Sequence, residues 1–184
     1  MPKVSQEHLD ARRRQILDGA RRVFSRHGFE GATIAKLEEE TGLSRGAIFN
    51  YFPTKWEIFY ALAQEDQQRA GELWLDDGFS AVLRWVVEQE PEWIGVYLET
   101  HRMLRTNPEL RARWEQRNPE LDNRLRAKVE QQQRGGELRR DVDADTIGRF
   151  MGLIVDGLVL NVSAGAAYEL EDLLKLVIGG IAPQ

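Results

Sequence analysis

Thr33-Ile34-Ala35-Lys36-Leu37-Glu38-Glu39-Glu40-Thr41-Gly42-Leu43-Ser44-Arg45-Gly46-Ala47-Ile48-Phe49-Asn50-Tyr51 is the stretch whose reading decides the fold. Thr33 is a helix-capping residue, Ile34 and Leu37 share one helical face, and Gly42 suits the left-handed position after a helix end. Ser44 then caps a second short helix, Arg45 to Tyr51, which Pro53 closes. Two short helices joined through Thr41-Gly42-Leu43-Ser44 have the length and the glycine turn of a helix-turn-helix, whose second helix enters the DNA major groove. The second helix has a suitable composition. Gly46 and Ala47 let a backbone approach a duplex, Ile48 and Phe52 face inward, and Arg45 and Asn50 carry groups that pair with base edges or phosphates. Lys55 stands at a helix start beside the expected phosphate path. On spacing alone, a helical hairpin that merely packs is the alternative.

Outward from this stretch the chain reads as helices, about nine in all, with no strand pattern of useful length and no fixed-period repeat. An all-α fold is expected. A first helix runs from Gln6 to His27 and is stopped by Gly28. After the two short helices, Thr54 and Glu57 form a capping box for a long helix to about Leu75. Further helices are expected over Phe79 to Glu88, Pro91 to Leu104, Pro108 to Gln133, Asp143 to Ser163 and Glu169 to Ile178. Asn118-Pro119-Glu120 falls inside one of these and is expected to kink or split it, because proline suits only a first helical turn. Two domains follow: residues 1–53 as a three-helix DNA-binding head and residues 54–184 as a helical body.

Charge divides at the same place. The 184 residues carry a formal charge of −5. Residues 1–55 hold ten Lys and Arg against seven acids, and the remainder fifteen against twenty-three, a +3 head and a −8 body. The head suits an anion; the alternative is a solvated helix face around Arg12 to Arg14. With no cysteine and three scattered histidines, zinc sites, iron–sulfur sites and thiol chemistry are excluded. No nucleophile motif, metal triad or phosphate loop marks an enzyme. The apolar stretch from Phe150 to Val162 is broken by Asp156 and Asn161 and is short for a membrane span. No leader segment is read at the start. A cytoplasmic protein without a membrane partner is the expectation.

The run from Glu30 to Ile34 together with Gly42 through Lys55 resembles the DNA-binding domain of the TetR family of transcriptional regulators. The resemblance implies a homodimeric repressor that reads a palindromic operator and is released by a small-molecule effector. By position it implies phosphate contacts from Thr33, Ser44, Tyr51 and Lys55, with Arg45, Gly46, Ala47 and Asn50 toward base edges and Lys36 among the DNA-binding residues. Phe49 stands where the family usually has tyrosine, so van der Waals contact replaces a hydroxyl contact. Glu38-Glu39-Glu40 is acidic for a helix near DNA, and its carboxylates are expected on the side away from it. A helical enzyme or an adaptor without DNA binding is the competing class, and it leaves Arg45 to Lys55 unexplained.

In the body, the helix from Asp143 is apolar almost all round and therefore needs cover from more than one side. Phe150, Ile154 and Leu158, with Leu170, Leu173, Leu174 and Val177 of the last helix, are expected to form a two-fold dimer interface. A buried central helix in a monomer is the alternative. Polar groups on apolar faces are the clue to an effector. Tyr97 and His101, continued by Arg105, share a face with Ile94 and Leu104, and Asn161 falls within an apolar arc; a buried cation there needs a carboxylate from the protein or from a ligand. Stretches such as Leu104-Arg105-Thr106 and Leu138-Arg139 through Asp141-Val142 are similar to the aconitase repressor branch of the family. That resemblance implies citrate with magnesium as effector and suits His101, Arg102, Arg105 and Arg126 as carboxylate partners. No other cofactor is expected, and an apolar or multidrug effector is the runner-up.

Overall fold

The computed structural model describes residues 5–116, 118–167 and 169–183; Lys3, counted in the charge of the head, lies outside them. The described residues form ten helices and no strand. They are α1 (Gln6–Gly31), α2 (Ile34–Thr41), α3 (Arg45–Phe49), α4 (Lys55–Asp77), α5 (Phe79–Val87), α6 (Pro91–Thr106), α7 (Pro108–Glu115), α8 (Pro119–Gly135), α9 (Ala144–Ser163) and α10 (Leu170–Ile181). The tenth arises where expected: the stretch from Pro108 splits before Pro119, because proline lacks an N–H and disfavours helical backbone in the residue before it. Pro91, Pro108 and Pro119 each open a helix. In α1 the regular helix ends at Gly28, whose φ of 66° only glycine adopts readily, and a last turn follows to Gly31.

Three apolar clusters hold the molecule together. The first joins Ile16, Leu17, Val23 and Phe24 of α1, Leu37 of α2 and Ile48 of α3 to Ile58, Phe59 and Leu62 of α4 and to Trp93, Val96 and Leu104 of α6. Packing thus runs without a break across the expected boundary at residue 53 and takes in α6. The second cluster comprises Val129, Leu138, Ile147, Met151 and Ile181, and the third Leu83, Val86, Leu158, Val162 and Leu174.

The placement of α9 corrects two expectations. Its buried side is Ile147, Met151, Leu158 and Val162, so Leu158 lies inside its own subunit, as do Leu174 and Val177 of α10; Ile154, Leu170 and Leu173 are half-buried. The open side carries Phe150 at 37% exposure, Leu153 at 70% and Leu160 at 54%, continued on α10 by Leu176 at 75% and Ile178 at 53%. The apolar arc through Ile147 is the one that α5, α6 and α8 cover, which leaves the opposite arc uncovered. Taken over its full 20 residues α9 is also long and apolar enough to cross a membrane, beyond the Phe150 to Val162 stretch read in the sequence. One of its sides is occupied by the protein's own core.

Candidate nucleic-acid interface

The helix-turn-helix is built by the caps legible in the sequence. Thr33 Oγ1 accepts from the N–H of Lys36 at 3.4 Å, and Ser44 Oγ from the N–H of Ala47 at 3.3 Å. Gly42, with φ 68°, ends α2, and its N–H donates to the Glu38 carbonyl. Ile48 is fully buried and anchors α3 on the head core. That docking turns Thr33, Ser44, Arg45, Gly46 and Asn50 to solvent, while Ala47, Phe49 and Tyr51 are half-buried and Ala47 and Tyr51 pack on the core. A Cβ built on Gly46 meets no protein atom within 4 Å. The protein's own packing does not require glycine there.

Regular helix in α3 stops at Phe49, and Asn50 is its C-cap, two residues short of the expected run to Tyr51. Arg45 is held at both ends: its N–H donates to Glu38 Oε1 at 2.6 Å, and its guanidinium lies 5.9 Å from the Phe49 ring centre. Glu38 therefore faces the start of α3, where an unpaired backbone donor attracts a carboxylate. Glu40 bridges Arg22 at 2.5 Å and Arg26 at 2.6 Å on α1. The Arg22 guanidinium holds its carboxyl below the usual range, with Arg26 adding to the effect.

Both lysines expected at the DNA are anchored to the end of α1. Lys55 Nζ donates to the Phe29 carbonyl at 2.5 Å and to that of Glu30 at 3.3 Å, and lies 4.5 Å from the Phe29 ring centre. Burial lowers its pKa against the pull of Glu30 and Glu99. Lys36 Nζ donates to the Gly31 carbonyl at 3.0 Å. The turn broken at Gly28 leaves carbonyls without helical partners, and these ammonium groups satisfy them. Each lysine shapes the DNA face and retains donors for phosphate.

The residues expected at an effector do not come together. The buried residues of α6 are Trp93, Ile94, Val96, Thr100 and Leu104. His101 and Arg105 share the face of Ile94 but lie two and three turns farther along the helix, where both are exposed, as are Arg102 and Asn161. This corrects the expected buried cations. His101 Nδ1 pairs with the Tyr97 carbonyl at 2.6 Å, Asn161 Nδ2 donates to the Gly157 carbonyl at 2.7 Å, and the Tyr97 hydroxyl donates to Asp66 at 2.8 Å. Arg126 of the expected set lines a cleft. That cleft, about 950 Å³, opens between α4, α7, α8 and α9, with Trp74, Leu125 and Val129 as apolar wall and Arg126, Arg149, Asp122 and Asp145 as charged groups. Arg126 pairs there with Glu130 at 3.1 Å and Asp145 at 3.2 Å, and also reaches an adjoining shallower groove containing Arg134 and Arg140. Among the described residues no group of three or more Asp, Glu, His or Cys is placed to hold a metal ion. The carboxylates that hold head to body, Asp66 and Glu99, have partners that no local spacing signals, because these lie 27 to 70 residues away along the chain.

Residues 16–62 match the family described as bacterial regulatory proteins, tetR family, and residues 74–178 match the BetI-type transcriptional repressor C-terminal domain. The HTH-type transcriptional repressor AcnR of Corynebacterium glutamicum is 40% identical over 173 residues, 92% of each chain. AcnR of Corynebacterium diphtheriae is 38% identical over 180 residues, 96% of this chain and 95% of its own. In three dimensions, GusR of Salmonella enterica matches with a TM-score of 0.77 over 97% of this chain and 98% of its own, at 20% identity, a likeness of fold. With a helix-turn-helix head, a BetI-type body and these repressors as relatives along nearly its whole length, the chain belongs to the TetR family of DNA-binding transcriptional regulators and not to an enzyme class.

Proposed function

We propose that the protein is a cytoplasmic repressor that binds a palindromic operator as a homodimer and releases it when a di- or tricarboxylate enters the cleft at Arg126. The observation that carries the reading is the outward face of α2 and α3, where Thr33, Ser44, Arg45, Gly46 and Asn50 are presented together beside an end of α1 reinforced by Lys36 and Lys55. A single recognition helix of this length reads few base pairs, so a second copy related by a two-fold axis supplies the second half-site. The uncovered apolar face of α9 and α10, with Leu153, Leu160, Leu176 and Ile178, suits that second copy. Gly152 and Gly179 have open space where side chains would stand, which favours close helix approach. The acidic body repels DNA and leaves the heads as the contact.

The effector assignment rests on the chemistry of the cleft. Arg126 and Arg149 supply donors for carboxylate oxygens, and the acids around them disfavour a bare anion. A carboxylate arriving with a divalent cation answers both charges: Mg²⁺ is commonly held by one or two carboxylates plus the ligand and water. AcnR, a repressor by name, favours the negative sign of regulation. Binding that shifts the reading heads apart weakens operator affinity by the effector's differential affinity, typically about 1–3 kcal/mol.

A gel shift against the DNA upstream of the protein's own gene, with a salt titration, tests the reading. Sequence-selective retardation that weakens steeply with salt is expected. Indifference to sequence refutes it. For the effector, calorimetry with citrate and Mg²⁺ is expected to give heat that Arg126→Gln removes; silence with citrate and heat with an aliphatic ligand transfers the cleft to an apolar effector.

A further inference from the structure

The carboxylate of Asp66, on α4, is 15% exposed and receives four donors from two other helices. Arg21 of α1 approaches it through Nη2 at 2.5 Å and Nη1 at 3.3 Å, and Trp93 Nε1 and the Tyr97 hydroxyl of α6 both donate to Oδ2 at 2.8 Å. The Arg21 guanidinium also lies over the Trp93 ring, 4.3 Å from its centre. A second carboxylate repeats the connection farther along. Glu99 of α6 accepts from the N–H of Phe29 at 2.7 Å and occupies the space beside Gly28, where a Cβ would come within 2.5 Å of it. Each tie spans α1 and α6, and the first cluster fills the space between them with Phe24, Phe59, Trp93 and Val96.

These ties set which parts of the molecule move together. A buried carboxylate satisfied by an arginine and two neutral donors is costly to strip of its partners, because the charge is then left without compensation. The helix-turn-helix head is thereby fastened to α6, and α6 in turn packs on α9, which the second and third clusters join to α5, α8 and α10. We infer that Asp66 is a positioning residue for operator recognition: it locks α1 to α6, so that the head turns with the body and the dimer accepts one half-site spacing. The inference rests on the two-fold dimer proposed above. A head free to pivot on α4 reaches half-sites at several separations, whereas a locked head meets the second major groove at one.

The test reads spacing. The palindrome that the wild-type protein selects from a random-sequence duplex pool is rebuilt with about one to four base pairs added or removed at its centre, and affinity is measured for each duplex. Wild type is expected to lose about tenfold or more one or two base pairs from its optimum, and Asp66→Asn to flatten that profile to within about threefold while remaining a folded dimer by circular dichroism and sedimentation. Loss of stability alone lowers affinity at all spacings equally and leaves the profile's shape intact, so an Asp66→Asn dimer with the wild-type profile overturns the lock. If Asp66→Asn does not fold, Trp93→Phe combined with Tyr97→Phe, which removes two donors and keeps an aromatic ring at each position, is judged by the same criterion. A wild-type protein indifferent to spacing overturns the two-fold reading itself and the lock with it.

Discussion

At Gly46 the demands of the fold and of DNA separate. Its missing side chain meets open space in the protein, and helical backbone favours alanine over glycine by up to about 1 kcal/mol. Gly46→Ala is therefore expected to leave the thermal midpoint unchanged or raised, and to weaken operator binding by about tenfold because the methyl group intrudes between α3 and the groove. Equal operator affinity in the two proteins refutes a close backbone approach at this point. Glu40 shows the opposite case of a residue that serves the head alone. Its carboxyl is held below the ordinary value of 4.5 by Arg22 and Arg26, so its contribution to stability is present above that value and is lost as pH falls through the lowered one. Melting curves between about pH 5 and pH 3 are expected to drop more steeply for wild type than for Glu40→Gln. Parallel curves sink the assignment. Glu40 was legible in the sequence only as part of an acidic run; its two arginine partners are 18 and 14 residues away and come into reach when α2 folds against α1.

Helix starts and stops were the most readable elements, because a cap is a contact between neighbours in sequence. Thr33, Gly42, Ser44 and Thr54 all act where the chain suggested, although the Glu57 carboxylate, expected to complete a capping box with Thr54, pairs with Arg113 instead. The crossing of α4 and α8 shows what local rules miss. Gly71 is buried, and a Cβ on it comes within 2.5 Å of Leu121 Cδ1, a side chain that is itself 1% exposed. Nothing in the pattern around Gly71 distinguishes it from a tolerated helix glycine. Gly71→Ala is expected to push α8 from α4 at a cost of about 1–3 kcal/mol, despite the better helix propensity of alanine. Thermal or urea melting checks the sign: a more stable Gly71→Ala shows that α8 yields freely. The displacement also moves Arg126, so binding in the cleft is expected to weaken in the same variant.

The whole molecule has a +3 end and a −8 end, and an apolar face on the second that the chain by itself does not cover. Replacing Leu153 and Leu176 by aspartate is expected to give the 21.2 kDa monomer in sedimentation, with helical content retained because both side chains are exposed in the subunit. The monomer is expected to lose the operator almost completely, since one head keeps only half of the site. A dimer that survives both changes places the two-fold axis elsewhere. By itself the sequence determined the helices, the helix-turn-helix, the division of charge and the family, because these depend on spacing and on contacts within a few residues. Only the tertiary structure decided which side of α9 is open, why His101 and Arg105 face water, and where Lys55 and Asp66 find their partners. Periodicity sets the angles between side chains on one helix, but the direction in which that helix faces is set by the neighbours that cross it, and those neighbours lie far away along the chain.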